Sequence, residues 1–189
     1  MTTTTTTTTE RDDLISSLAR HRGFLLQTAQ GLTEEQARRA STVSTLTIAS
    51  LLKHVADTEE AWLEFAVRGS DAMADDYEDV DWDKVAAEAE ANGGDWSASG
   101  WEDTRFVLSD EETLEVLTDR MAQVAAKTEE VLRTADLDQS WPLPEAPWYE
   151  PGETWSVRRV VLHVLAETSQ HAGHADIIRE AIDGQRTMG

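Results

Sequence analysis

The segment from Trp155 to Glu180 constrains the fold most, because it sets titratable side chains in the same sector as branched aliphatic ones. On a helical wheel of about 100° per residue, Val160, Val164, Ile178 and Ile182 share a narrow sector that must face a core. His163, Glu167, His171 and His174 fall in or beside that sector. A helix from near Ser156 to about Ile182, ended by Gly184, therefore drives two turns of ionisable groups inward between apolar turns. A buried, unpaired carboxylate costs several kcal/mol or stays protonated, so such groups need partners. Residues four apart are stacked on one helix face, so Glu167 and His171 can grip one cation from successive turns. The competing readings are a surface salt bridge, which the surrounding valines and isoleucines oppose, and a buried hydrogen-bonded network without metal.

Three further stretches carry helical periodicity. The first spans Arg11 to Gln30, with Leu14, Leu18, His21 and Leu25 on one stripe and Gly31 placed to end it. Thr33 with Gln36 forms a capping box for a short turn that follows. The second runs from the N-cap Thr47 to Arg68, stopped by Gly69, with Ile48, Leu51, Leu52, Val55 and Trp62 on its apolar face. The third is expected to begin at Ser109, whose capping partner is Glu112, and continues through Leu114, Leu117, Met121, Val124, Thr128, Val131 and Leu132. No stretch alternates with a period of two long enough to predict a strand, so the fold class is all-α, a four-helix bundle. About forty residues separate the second and third helices and about twenty the third and fourth, against roughly 2–8 in tight bundle links. Such crossovers permit parallel neighbours. Trp82, Trp96, Trp101, Trp141 and Trp148 lie in these links and are expected to pack over the bundle mouth, either walling a pocket or as satellite packing.

His54 lies at the flank of the apolar sector of the second helix, beside Thr58, Ala61 and Phe65. Two ligands do not make a stable site, and bundle metal sites draw inward groups from different helices, so His54 is the candidate third ligand. His174, His163 and His21 are candidates for a role behind the ligands or in proton transfer. Arg158, Arg159 and Arg22 are candidates for holding an anionic substrate, with surface salt bridging as the default for each.

Composition narrows the chemistry. The chain has no cysteine, which removes disulfides, thiolate ligands and a cysteine nucleophile and makes a cytoplasmic location the simpler expectation. A formal charge of −21, from 37 acidic and 16 basic residues, argues against nucleic acid as a partner. Between Asp71 and Glu115 there are 16 acidic residues against Lys84 and Arg105 alone, the pattern of a solvated face. No apolar run approaches the ~20 residues of a membrane span. The Met1–Thr9 threonine tract lacks the features of a secretion signal. Residues 1–10 are expected to form an unstructured tail and 11–189 one bundle domain.

Three segments resemble the DinB-like superfamily of metal-binding bundles, in its actinobacterial mycothiol-transferase-like branch. They are Gly31-Leu-Thr-Glu-Glu-Gln, Leu46-Thr-Ile-Ala-Ser-Leu-Leu-Lys-His-Val-Ala, and Trp155 through Gly184 with its string Leu162-His-Val-Leu-Ala-Glu-Thr-Ser-Gln-His-Ala-Gly-His-Ala-Asp. The resemblance covers nearly the whole chain after the threonines. It implies an up-down-down-up bundle with a long crossover between helices two and three. It also implies a metal triad at His54, Glu167 and His171. Many relatives carry histidine where this chain has Glu167, whereas the similar mycothiol-dependent maleylpyruvate isomerases use glutamate there, with zinc. Two histidines and a carboxylate with an open position suit zinc, and also nickel, iron or manganese. The reading is thus a metal-dependent transferase that joins mycothiol, or a similar small thiol, to an electrophilic small molecule. A hydrolase that activates water, or a non-catalytic bundle secured by its metal, are the alternatives. Relatives of this kind often pair through bundle faces, which implies a homodimer.

Overall fold

The computed structural model describes residues 9–73, 81–93, 104–146 and 148–187. Trp96 and Trp101 fall outside these residues. Helix α1 spans Glu10–Ala29, the short α2 Glu34–Ala37, α3 Ile48–Arg68, α4 Trp82–Ala91, α5 Leu114–Thr134 and α6 Val157–Asp183. A ribbon of β1 (Ser140–Pro142) and β2 (Thr154–Ser156) precedes α6, antiparallel, with Trp141 opposite Trp155. The ribbon departs from the strand-free expectation, because three-residue strands are too short to show a period of two. No helix among the described residues is long and apolar enough to cross a membrane.

Local chemistry sets the helix ends. Thr9 closes a capping box with Asp12, so the last threonine of the tract starts α1 and Glu10 is already helical. Thr33 with Gln36 caps α2, and Thr47 with Ser50 caps α3. Helix α3 ends at Gly69, whose φ of 71° suits glycine, and α6 ends at the left-handed Gly184. Helix α5 starts later than expected, at Leu114 with Thr113 as its cap. The Ser109 N–H does bond the Glu112 carboxylate at 2.7 Å, but that pair closes a turn ahead of the helix. Long-range partners take the remaining groups there: the Leu114 N–H donates to Glu34, and Arg38 donates to the Ser109 and Glu112 carbonyls.

Contacts along the helices fix their directions. Arg158 near the start of α6 meets Glu10 at the start of α1, and Arg179 near its end donates to the Thr28 and Gln30 carbonyls at the end of α1. These two helices are therefore parallel. Arg120 reaches Asp57 and Glu60, and Lys127 reaches Glu64, so α5 runs parallel to α3. The α1–α3 contact of Arg22 with Glu59, together with Leu25 packing in one core cluster with Ile48 and Leu18 in another with Phe65, makes α1 and α3 antiparallel. The order is up-down-down-up, with the long crossover between α3 and α5. Within that crossover, α4 is capped by Asp81, which accepts from the Lys84 N–H at 3.0 Å.

The core is split along its length. One apolar cluster gathers Leu25, Leu51, Leu52, Val55, Leu117, Met121 and Ile178; the other gathers Leu18, Trp62, Phe65, Leu132, Trp155, Val160 and Val164. Between them each of the four long helices contributes polar side chains at one level: Arg22 from α1, His54 and Glu59 from α3, Thr128 from α5, Thr168 and His171 from α6, all buried. A mid-bundle polar belt of this kind persists only if its members satisfy one another.

Candidate metal centre

The belt resolves into two groups. In the first, Arg22 grips Glu59 with two bonds, Nε to Oε2 at 2.7 Å and Nη2 to Oε1 at 2.5 Å, while the Thr128 hydroxyl donates to Oε1 at 2.5 Å. Arg22 is thus neither a surface salt bridge nor free to hold a substrate, which corrects both expectations for it. Its partner was legible only indirectly, since Glu59 interrupts the apolar stripe of Val55, Trp62 and Ala66 on α3.

The second group is the expected triad. His54 from α3 and Glu167 and His171 from α6 each offer a donor atom, and these atoms lie within 4.8 Å of one another. Glu167 Oε2 stands 3.5 Å from His171 Nε2 and 3.8 Å from His54 Nε2. The two rings meet edge to face with centroids 4.7 Å apart. Exposure is graded: the His54 side chain keeps 6% and that of His171 9% of its surface, whereas the Glu167 side chain keeps 29%. The His171 ring, and then that of His54, hold the Glu167 carboxyl well below the usual carboxylate range, so it is an anion against two imidazole nitrogens.

Donor chemistry and spacing fit a divalent transition ion. Bond lengths of ~2.0–2.1 Å in a tetrahedral zinc site put ligand atoms about 3.4 Å apart. The carboxylate–imidazole separations of 3.5 and 3.8 Å lie near that value, and the three donor atoms, all within 4.8 Å of one another, must draw together around an ion. Two imidazoles and one carboxylate carry a single formal charge and leave a coordination position for a further molecule.

Surrounding side chains fix the rings in different ways. Phe106, from a 3₁₀ turn over Thr104–Phe106, lies against His54 with centroids 4.3 Å apart and planes 34° from parallel. It is also 5.9 Å from the His171 ring. This residue was missed in the sequence, where its one signal is the apolar run Phe106-Val107-Leu108 inside the acidic link. His174 brings its Nδ1 within 3.4 Å of His171 Nδ1. His163, one turn before Glu167, sits edge-on to the stacked pair Trp62 and Trp155, whose centroids are 4.8 Å apart. Burial pushes its imidazole below the ordinary value of 6.5, although the Glu167 charge opposes this.

The remaining candidates lie elsewhere. His21 rests edge-on to Phe24, and no hydrogen bond or ring contact joins it to the triad among the described residues. Arg158 bridges Glu10 and Asp138 at the surface, the default expected for it, and Arg159 lies 4.3 Å over the Trp155 ring. Of the link tryptophans, Trp141 packs against Gly69 and donates to the Ala66 carbonyl at 3.1 Å, while Trp82 and Trp148 meet edge to face.

Comparison with known proteins agrees with this architecture. Residues 13–184 match the profile of the family described as mycothiol-S-transferase. No curated protein gives a significant match. Among solved structures, a crystal structure described as that of a conserved protein of locus from Enterococcus faecalis superposes with a TM-score of 0.64 at 16% identity. It covers 95% of this chain and 100% of its own, a likeness of fold alone.

Proposed function

The chain belongs to the mycothiol S-transferase family, a DinB-like one, and on that premise we propose that His54, Glu167 and His171 hold a divalent transition ion, zinc first among the candidates. With that ion the chain transfers the sulfur of mycothiol, or a similar small thiol, to an electrophilic small molecule. The observation that carries the reading is the convergence of three donor atoms from two helices in the middle of the bundle. When bound, the ion supplies the positive charge that favours thiolate over thiol near neutral pH.

The chain's own residues do the rest. With no cysteine in the sequence, the reacting sulfur must arrive with a substrate. His54 and His171 supply neutral nitrogens, and Glu167 a negative charge that balances part of the ion's. Phe106 screens the inner rings from water. The exposed edge of Glu167 marks the side by which a reactant enters. As the S–H bond breaks its proton needs an acceptor, and His163, one turn from Glu167, is the candidate we assign to that role. The sulfur electron pair then forms the bond to the electrophilic carbon, and the leaving group departs with its own pair.

The test begins with elemental analysis of protein purified without added metal, wild type against His171→Ala. A metal-loaded wild type and a depleted variant are expected. Loss of free thiol is then followed with mycothiol and a panel of electrophiles. Equal metal content in the two proteins removes the ligand assignment, and turnover without any thiol removes the transferase reading.

A further inference from the structure

The two histidines of the triad are held in place by different means. His54 has the Phe106 ring across its face and the Glu167 carboxylate 3.8 Å from its Nε2. His171 turns Nε2 toward the Glu167 carboxylate, 3.5 Å away, so with a cation held between them the ligating lone pair sits on Nε2. A neutral imidazole that keeps a lone pair on Nε2 carries its single hydrogen on Nδ1. That hydrogen needs an acceptor, because both ring nitrogens lie in a largely buried side chain. His171 Nδ1 lies 3.4 Å from His174 Nδ1, with the two ring centroids 5.4 Å apart. Among the described residues His174 Nδ1 is the partner within hydrogen-bond distance of His171 Nδ1, and a residue three positions on reaches the same face.

We infer that His174 is a positioning residue: its Nδ1 accepts the hydrogen of His171 Nδ1, fixing the tautomer and ring orientation that present His171 Nε2 to the cation. His174 then carries its own hydrogen on Nε2. Hydrogen bonding behind a ligating imidazole also raises its basicity, and losing such a partner weakens metal affinity about 10–100-fold. This inference rests on the metal reading above.

The experiment titrates the metal-free full chain with zinc against a chromophoric chelator, for wild type, His174→Phe and His174→Asn. Phenylalanine keeps the ring and removes the acceptor. The asparagine amide oxygen falls close to the position of Nδ1 and restores it. His174→Phe is expected to bind zinc ~10–100-fold more weakly, and His174→Asn within a few-fold of wild type. Thermal unfolding of the metal-free proteins reports whether each variant folds, and His174→Ala replaces the phenylalanine variant if that one does not. The cobalt-loaded protein gives a second readout, a d–d spectrum that changes in His174→Phe and stays near wild type in His174→Asn. Wild-type affinity in a folded His174→Phe, or equal loss in both variants, overturns the inference and leaves the metal site standing. A wild type that takes up no zinc overturns both.

Discussion

Replacing Glu59 with alanine is expected to be among the most destabilising single changes in this chain. Glu59 is 1% exposed and accepts two bonds from Arg22, itself 7% exposed, and one from Thr128. Removing the carboxylate strands the guanidinium in the polar belt with no counter-charge. A buried pair broken on one side costs about 3–5 kcal/mol, because the remaining charge keeps its desolvation penalty. The Thr128 hydroxyl can turn back to its own helix, so its share is small. A domain holds only ~5–15 kcal/mol in all. At about 2–4 °C per kcal/mol for a chain of this size, the midpoint should fall by roughly 6–20 °C. Replacing both partners, as Arg22→Met with Glu59→Leu, leaves no stranded charge and should recover most of the loss. Urea unfolding followed by far-UV circular dichroism measures both, with the midpoint moving at constant slope. If Glu59→Ala lies within about 1 kcal/mol of wild type, the pair behaves as an exposed one and the belt is not a sealed layer. A double variant as unstable as the single would refute the stranded-charge argument in another way.

Two further outcomes follow from the geometry. Gly69→Ala should destabilise by about 1–3 kcal/mol, since a side chain is strained at φ 71° and its Cβ would stand 2.7 Å from the Trp141 ring; a thermal melt with an accompanying shift of tryptophan emission checks it, and an unchanged melt sinks it. His163, held below 6.5 by burial, gains a proton in the unfolded chain before the folded one. Its contribution is therefore complete above about pH 6.5 and lost as pH falls through the folded value. In metal-free protein His163→Gln should lose stability less steeply than wild type below that pH, and parallel profiles would contradict the assignment.

Local features of this chain are legible in its sequence, and those set by distant contacts are not. Helix α3 was legible to its last residue and α6 to within one residue at either end, because Thr47, Gly69, Ser156 and Gly184 are caps whose bonds lie within a few positions. The start of α5 was not: Ser109 and Glu112 do bond, but Glu34 and Arg38 from a distant turn decide where the helix begins. The convergence of His54, Glu167 and His171 was legible in part: spacing allowed Glu167 with either His163 or His171, and the family resemblance favoured the latter. Phe106 and the partnership of Arg22 with Glu59 were out of reach, since each depends on which faces of separate helices meet.

The split core also bears on the order in which this molecule can be made. His54 and the pair on α6 are more than a hundred residues apart along the chain, with two crossovers between them. Closing so long a loop is slow relative to forming the helices themselves. A chain emerging from the ribosome therefore exposes His54 long before its partners exist, and a half-built cluster binds cations poorly. Any ion this bundle keeps is selected at the end of folding, when the last helix docks, and it then resists unfolding through the affinity it has for the finished shape alone.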